Sequence, residues 1–179
     1  MIEQTDLRVD GKVALPQTPS QTVGPFFAYA LTPEQYGYEF NDLINIQIIN
    51  SDKNAIKIIG QVFDGEGNAI PDAMIELYSP EIAMNTCARC GTGTDLEGKF
   101  SFHTNKTLYF NVIVFMRGQL IHSYTRLYFD DQLPLNEHDE TYQSVPLERR
   151  STLLAMKKND YYEYNIYMQG DHETVFFDI

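Results

Sequence analysis

The chain has 179 residues, 43% of them hydrophobic, and this length favours one domain with a core of its own. A formal net charge of −12 opposes binding to phosphate backbones and anionic lipid, so we expect neither a nucleic-acid-binding nor a membrane-surface protein. The two cysteines are too few for a disulfide framework, and the sequence has neither a signal pattern nor an apolar run of about 18 residues, which predicts a soluble cytoplasmic protein.

Aromatic residues make up 13% of the chain, with 12 Tyr, 11 Phe and no Trp. Such residues fit a pleated, half-buried sheet surface better than a helix. Roughly seven or eight predicted strands are separated by turn signals about every 8–12 residues, which is typical of sandwiches. The sequence therefore predicts an all-β, antiparallel β-sandwich in a single domain. We expect residues 1–57 to form an N-terminal arm and a pocket-lining loop with a first strand, and residues 58–179 to form the sandwich core.

The N-terminal part lacks a clear period. Residues 1–17 mix charged and apolar residues, and we expect an extended arm. In Thr18–Phe27 two prolines and a glycine exclude a regular helix, which indicates a loop. Alternation in Ile44–Ile49 predicts a strand.

The stretch Ile58–Tyr78 predicts a β-hairpin or a close pair of strands. Its second limb is Met74–Tyr78, and the joint between the limbs is rich in residues that favour turns. Gly67 can adopt positive φ, Asp64 can bond back to nearby backbone, and Pro71 fixes φ just before the second limb.

A segment without a clear period follows, and we interpret Ser79–Gly93 as a loop. It contains the pair Cys87 and Cys90, which could be half of a zinc site or a redox pair. A zinc site needs two further ligands, and a redox motif needs a βαβ context. Two loop or partly buried thiols therefore remain the plainer interpretation.

Two long strands are predicted next. Leu108–Met116 is almost continuously apolar, which indicates a central strand buried on both faces. Leu120–Phe129 has two different faces: one carries His122, Tyr124, Arg126 and Tyr128, and the other carries Ile121, Thr125, Leu127 and Phe129.

The remaining segments are more varied. Asp130–Tyr142 is acidic and predicts an exposed excursion, and Pro146–Met156 could be a short helix or an irregular bridge. Tyr161–Met168 alternates and predicts a strand, and after a turn at Gln169–Glu173 we expect Thr174–Ile179 to be a terminal strand.

The four histidines give no local metal motif. None of them has the i, i+2 or i, i+4 spacing that places two imidazoles on one face of a strand or helix. They are His103, His122, His138 and His172. An unrecognised Tyr and His set that converges in the fold stays open as an alternative.

Arg126 is the most informative single residue. Tyr124 and Tyr128 flank it on one strand face, so it could hold a carboxylate bidentately in an aromatic pocket. Alternatively its stem covers the aromatic rings or its guanidinium pairs with Asp130.

Several segments together resemble one family. In order, they resemble the α subunits of the protocatechuate 3,4-dioxygenases, a branch of the intradiol ring-cleavage dioxygenase family, and they span roughly two thirds of the chain. The segments are Thr18–Phe26, Gly60–Gly67, Pro71–Leu77, Val114–Gly118, His122–Asp131, Glu148–Leu153 and Gln169–Ile179.

The resemblance implies an αβ protomer of two related β-sandwiches within a larger oligomer. Such enzymes open protocatechuate between its hydroxyls with O2 to give 3-carboxy-cis,cis-muconate. It also implies a ferric iron, Fe(III), that two Tyr and two His of the β subunit hold. This chain would then bind no metal, carry no catalytic residue and be inactive alone. Where the β pattern has His-x-His, this chain has Tyr109-x-Asn111.

The same resemblance implies which residues line the substrate pocket. They are Thr22, Gly24, Pro25 and Phe26 of the first loop, with Phe26 where a tyrosine is more usual, and Arg126 near the substrate carboxylate. The alternative function is a non-enzymatic β-sandwich module that binds or stabilises a partner.

Overall fold

In a computed structural model of the chain, the described residues are 8–9, 12–13, 38–39, 55–71, 73–80, 85–89 and 98–178. The predicted loop Thr18–Phe27 and the predicted strand Ile44–Ile49 lie outside these residues. Within the described ranges, no helix combines the length and the apolar character that crossing a bilayer requires.

Strands dominate the structure. In chain order they are β1 (Arg8–Val9), β2 (Lys12–Val13), β3 (Ala55–Phe63), β4 (Met74–Tyr78), β5 (Asn85–Arg89), β6 (Lys99–Asn105), β7 (Tyr109–Phe115), β8 (Ser123–Phe129), β9 (Leu154–Lys157), β10 (Tyr162–Glu163) and β11 (Ile166–Tyr167). Between β8 and β9 lie a 3-10 turn (Asp130–Gln132), helices α1 (Leu133–Asn136) and α2 (Glu140–Ser144), and a 3-10 helix (Leu147–Leu153).

Two sheets are joined through β9. The first sheet has the order β5-β4-β7-β8-β9. In the second, β3 pairs with β6 along one edge and with β10 and β11 along the other. Strand β9 belongs to both sheets, because Ala155 pairs with β8 and Met156 with β10. Most pairs are antiparallel, as predicted, whereas β3 with β10 and β11, and β8 with β9, run parallel.

The core lies between the two sheets, which confirms the predicted β-sandwich. Alternation along each strand turns one set of side chains inward, and this set is almost free of polar groups. The fully or almost fully buried members include Ile58 and Val62 of β3, Ile75 and Leu77 of β4, Phe100 and Phe102 of β6, Phe110, Val112 and Val114 of β7, and Leu127 and Phe129 of β8.

The predicted hairpin over Ile58–Tyr78 is wrong. The turn itself forms, since Ile70 N donates to Val62 O at 2.7 Å and Gly67 takes φ 83°. Beyond it the chain crosses to the other sheet, where β4 pairs with β5 and β7. Strands β3 and β4 each carry one apolar face, and placing them in opposite sheets lets Val62 and Leu77 share one core.

Three further predictions need correction. The segment Ser79–Gly93 is not only a loop, because it contains β5, an edge strand in which Cys87 pairs with Glu76. Strand β7 is central but buried on one face, with alternate residues partly exposed. The predicted strand Thr174–Ile179 has no strand structure in its described part, and hydrogen bonds such as Phe177 N to Tyr124 O at 2.8 Å hold it instead.

A cation–aromatic cluster, which we call the Lys106 cluster, ties the ends of four strands together. Lys106 Nζ donates to Asp131 Oδ1 at 2.6 Å and to Tyr162 Oη at 2.7 Å, and it lies 4.8 Å from the ring centroids of Phe129 and Tyr162. Asp131 Oδ2 accepts from Tyr162 Oη at 2.8 Å and from Lys157 Nζ at 3.0 Å. Burial opposes ionisation of Asp131, but the hydrogen bonds from Lys106, Lys157 and Tyr162 lower its pKa to about 2.

Candidate functional site

A polar face covers the outer side of β7 and β8. Tyr109 lies opposite Tyr128, and Asn111 lies opposite Arg126, in the antiparallel register. The alternate residues of β8, such as Leu127, are fully buried in the core. The two-faced strand predicted around Arg126 is therefore confirmed, with the shorter bounds of β8.

Arg126 is held from three sides. Its Nη1 donates to both oxygens of Asp139 at 3.1 Å and to Tyr128 Oη at 3.3 Å. Its guanidinium carbon lies 4.4 Å from the ring centroid of Tyr109. The ion pair is largely shielded, with side-chain exposures of 18% for Arg126 and 21% for Asp139. We call this group of four side chains the Arg126 cluster.

The ion-pair partner of Arg126 is Asp139 rather than Asp130. Burial alone would lower the pKa of Arg126, but Tyr128, Tyr109 and Asp139 together raise it above its ordinary value. The arginine therefore stays cationic at any physiological pH. Asp130 accepts instead from the backbone N–H of Lys157 at 3.0 Å.

Asp139 is itself fixed by the backbone. It is the N-cap of α2, and its Oδ1 accepts from Tyr142 N at 3.0 Å, which satisfies an otherwise unpaired N–H of the first turn. The same oxygen accepts from Tyr128 Oη at 3.0 Å. Burial raises the pKa of Tyr128 well above its ordinary value, so this phenol is neutral and remains a donor.

One edge of the guanidinium lacks a partner. Arg126 Nε is buried without a hydrogen-bond partner, and no acceptor for Nη2 is found among the described residues. On the neighbouring strand Asn111 Oδ1 is also buried and unpaired. Leaving a buried donor unpaired costs about 1–3 kcal/mol, so such a group indicates a missing ligand or water. Nε and Nη2 form the side-on edge that binds a carboxylate with two parallel hydrogen bonds.

A small cavity of about 140 Å³ adjoins the Arg126 cluster. Its wall includes Tyr109, Tyr128 and Asp139, but not Arg126. Leu108 and Leu135, both nearly half exposed, form an apolar part of the rim. The volume is close to the about 150 Å³ of cavities that hold a benzene ring.

Among the described side chains, no group of three or more His, Cys, Asp and Glu converges. The family resemblance aligns the His-x-His pattern of the β subunit with β7 of this chain. Tyr109 and Asn111 occupy the two histidine positions. The Arg126 guanidinium already places a cation against the Tyr109 ring, which disfavours a second cation there.

Of the predicted site residues, the structure places Arg126 in the cluster just described. Thr22, Gly24, Pro25 and Phe26 lie outside the described residues. The sequence reading missed Asp139, although an Asp before Glu140 is a recognisable helix N-cap. Nothing in the local pattern connects that cap to an arginine 13 residues earlier.

The comparisons with known proteins agree with this fold. The chain is 41% identical over 194 residues to the protocatechuate 3,4-dioxygenase alpha chain of Burkholderia cepacia, covering 92% of this chain and 98% of that one. It is 33% identical over 196 residues to the alpha chain of the same enzyme from Pseudomonas putida, covering 92% and 97%. No family model matches.

A solved structure gives independent support for the sandwich. The intradiol ring-cleavage dioxygenase from Tetranychus urticae superimposes with a TM-score of 0.50 at 9% identity, covering 70% of this chain and 86% of that one. At that identity the likeness concerns the fold alone.

Proposed function

The chain belongs to the family of protocatechuate 3,4-dioxygenase alpha chains, and from this we propose that it forms the substrate pocket together with a β-type subunit that holds the ferric iron. It is thus an α-type subunit of an intradiol dioxygenase, an oxidoreductase. The two relatives are matched over almost their whole length, so the non-enzymatic alternative gains no support.

The free edge of Arg126 is the observation that carries the proposal. Protocatechuate has a ring carboxylate remote from its two hydroxyls, and a bidentate arginine suits a planar carboxylate. Binding there would satisfy the buried Nε, which has no partner among the described residues. Orienting the ring from its far end positions the hydroxyls for the reaction without any chemistry by this chain.

We assign the iron to the partner, and the lack of a converging group of three or more His, Cys, Asp and Glu among the described residues supports that assignment. We propose that Thr22, Gly24, Pro25 and Phe26 complete the wall around the carboxylate end of the substrate. None of these four residues carries a charge, so Arg126 remains the carboxylate partner in this proposal.

The test uses the complex formed by co-expression with a β-type subunit. Arg126→Ala should lower kcat/KM for protocatechuate by about 30-fold or more, equivalent to about 2 kcal/mol, because a charged hydrogen-bond pair is lost. Oxygen uptake measures the rate. The chain alone should consume no oxygen.

Arg117→Ala is the matched control, since Arg117 lies at the exposed turn after β7. It removes an arginine of the same charge outside the cluster and should leave the rate within about twofold. An unchanged kcat/KM for Arg126→Ala would contradict the carboxylate assignment.

A further inference from the structure

We infer that Asp139 is a positioning residue that aims the free edge of Arg126 at the substrate carboxylate and so sets specificity for acidic catechols. The inference rests on the proposed function. It assigns Asp139 a role that is exerted through Arg126.

The first step concerns how Asp139 holds the guanidinium. Both carboxylate oxygens lie 3.1 Å from Arg126 Nη1, so Asp139 binds one nitrogen of the guanidinium and leaves Nε and Nη2 without an acceptor among the described residues. The guanidinium is also stacked over Tyr109, which limits tilting out of its plane. An arginine side chain carries about 2 kcal/mol of rotamer entropy, and holding it in one orientation before binding removes that cost from the binding step.

The second step concerns what holds Asp139. Its Oδ1 is tied to Tyr142 N of α2 and to Tyr128 Oη of β8. Tyr142 is only 2% exposed, and its ring packs against Tyr128 at 4.8 Å between centroids. Asp139 therefore cannot follow the guanidinium if Arg126 moves, and it acts as a fixed stop.

A competing view makes the opposite prediction. If Asp139 only neutralised Arg126, it would weaken binding of an anion, and its removal would tighten the complex. If it positions Arg126, its removal weakens binding of a carboxylate-bearing ligand. The sign of the change in affinity separates the two views.

The experiment measures anaerobic binding of protocatechuate and of catechol, which lacks the carboxylate, to the assembled complex by calorimetry. Asp139→Ser keeps a helix N-cap but cannot reach Arg126. We expect it to raise the Kd of protocatechuate about 10-fold and to leave the Kd of catechol unchanged. Asp139→Asn keeps one oxygen acceptor and should recover part of the loss.

Each other outcome overturns the inference. An unchanged or lower Kd of protocatechuate would reduce Asp139 to a neutralising charge. Equal weakening of both ligands, or a lowered Tm without ligand discrimination, would make it a structural cap. Arg126→Ala, measured alongside, keeps the two proposals apart: if it leaves protocatechuate binding unchanged, the proposed carboxylate role of Arg126 fails, whatever Asp139 does.

Discussion

The Arg126 cluster and the Lys106 cluster are built from the same parts, but one is open and the other closed. Each has a cation against aromatic rings, an aspartate and a tyrosine hydroxyl that donates to that aspartate. In the Lys106 cluster both oxygens of Asp131 are bonded, and Lys106 Nζ has two acceptors. In the Arg126 cluster a buried Nε has no partner among the described residues.

The difference separates a structural tie from a binding group. A buried polar network contributes most to stability when every member is satisfied. An unpaired buried donor works against stability unless a ligand or an ordered water completes it. The Lys106 cluster joins β6, β8, β9 and β10, whereas the Arg126 cluster lies on an outer sheet face.

The largest effect should come from a substitution that disturbs both clusters. A Cβ at Gly60 would lie 1.7 Å from Tyr164 O and 2.6 Å from Phe100 Cζ. Tyr164 follows Tyr162 of the closed cluster, and its hydroxyl donates to Arg126 O at 3.3 Å. Gly60→Ala should therefore cost about 3 kcal/mol or more of the free energy of unfolding, measured by urea denaturation.

Gly67→Ala is the control for this substitution. Gly67 has φ +83° with no atom within 4 Å of an added Cβ, so only backbone strain of about 1–2 kcal/mol is expected. Equal losses for the two glycines would show that the backbone at Tyr164 yields easily.

The second-largest effect concerns how the stability of the fold depends on pH, and it involves only the Lys106 cluster. The pKa of Asp131 is lowered from its ordinary 3.8 to about 2, so its contribution to stability is present above pH 4 and is lost as the pH falls towards 2. The shift corresponds to about 1 kcal/mol once solvent screening of this partly exposed carboxylate is included.

Asp131→Asn isolates that contribution from the other carboxylates. The difference in the free energy of unfolding between the wild type and Asp131→Asn should shrink between about pH 4 and pH 2, as followed by far-UV circular dichroism in urea. A difference that stays constant over this range would mean that folding does not lower the pKa of Asp131.

The smallest effect should be that of Arg126→Met on stability. Losing the ion pair with Asp139 destabilises the fold, but removing the unpaired Nε relieves a penalty of similar size, so we expect a net change within about 0.5 kcal/mol. Lys106→Met, the matched variant in the closed cluster, should cost more than about 1 kcal/mol. Similar losses in both variants would remove the distinction between the clusters.

The face of the strand on which each side chain lies could be predicted from the sequence, because the alternation of residue types along a strand is a local property. The two faces around Arg126 follow from the residue types of β8 alone. Strand pairing could not be predicted, since β4 meets β7 rather than β3 only when both sheets close over the core. Strand β5 was missed because an edge strand needs no continuous apolar pattern. The ion-pair partner of Arg126 could not be predicted either, because Asp139 reaches Arg126 only when α2 folds back.

The parallel pairing of β3 has a consequence for how the chain reaches its fold. Ile58 pairs with Tyr162, and the backbone of Gln61 bonds to Asn165 across 104 residues. At a synthesis rate of about 5–20 residues per second, that edge of β3 stays unpaired for about 5 to 20 seconds until β10 and β11 have been made. An unpaired edge can meanwhile accept a strand from another nascent copy. The strand that anchors the sandwich is therefore also the place where misassembly can begin.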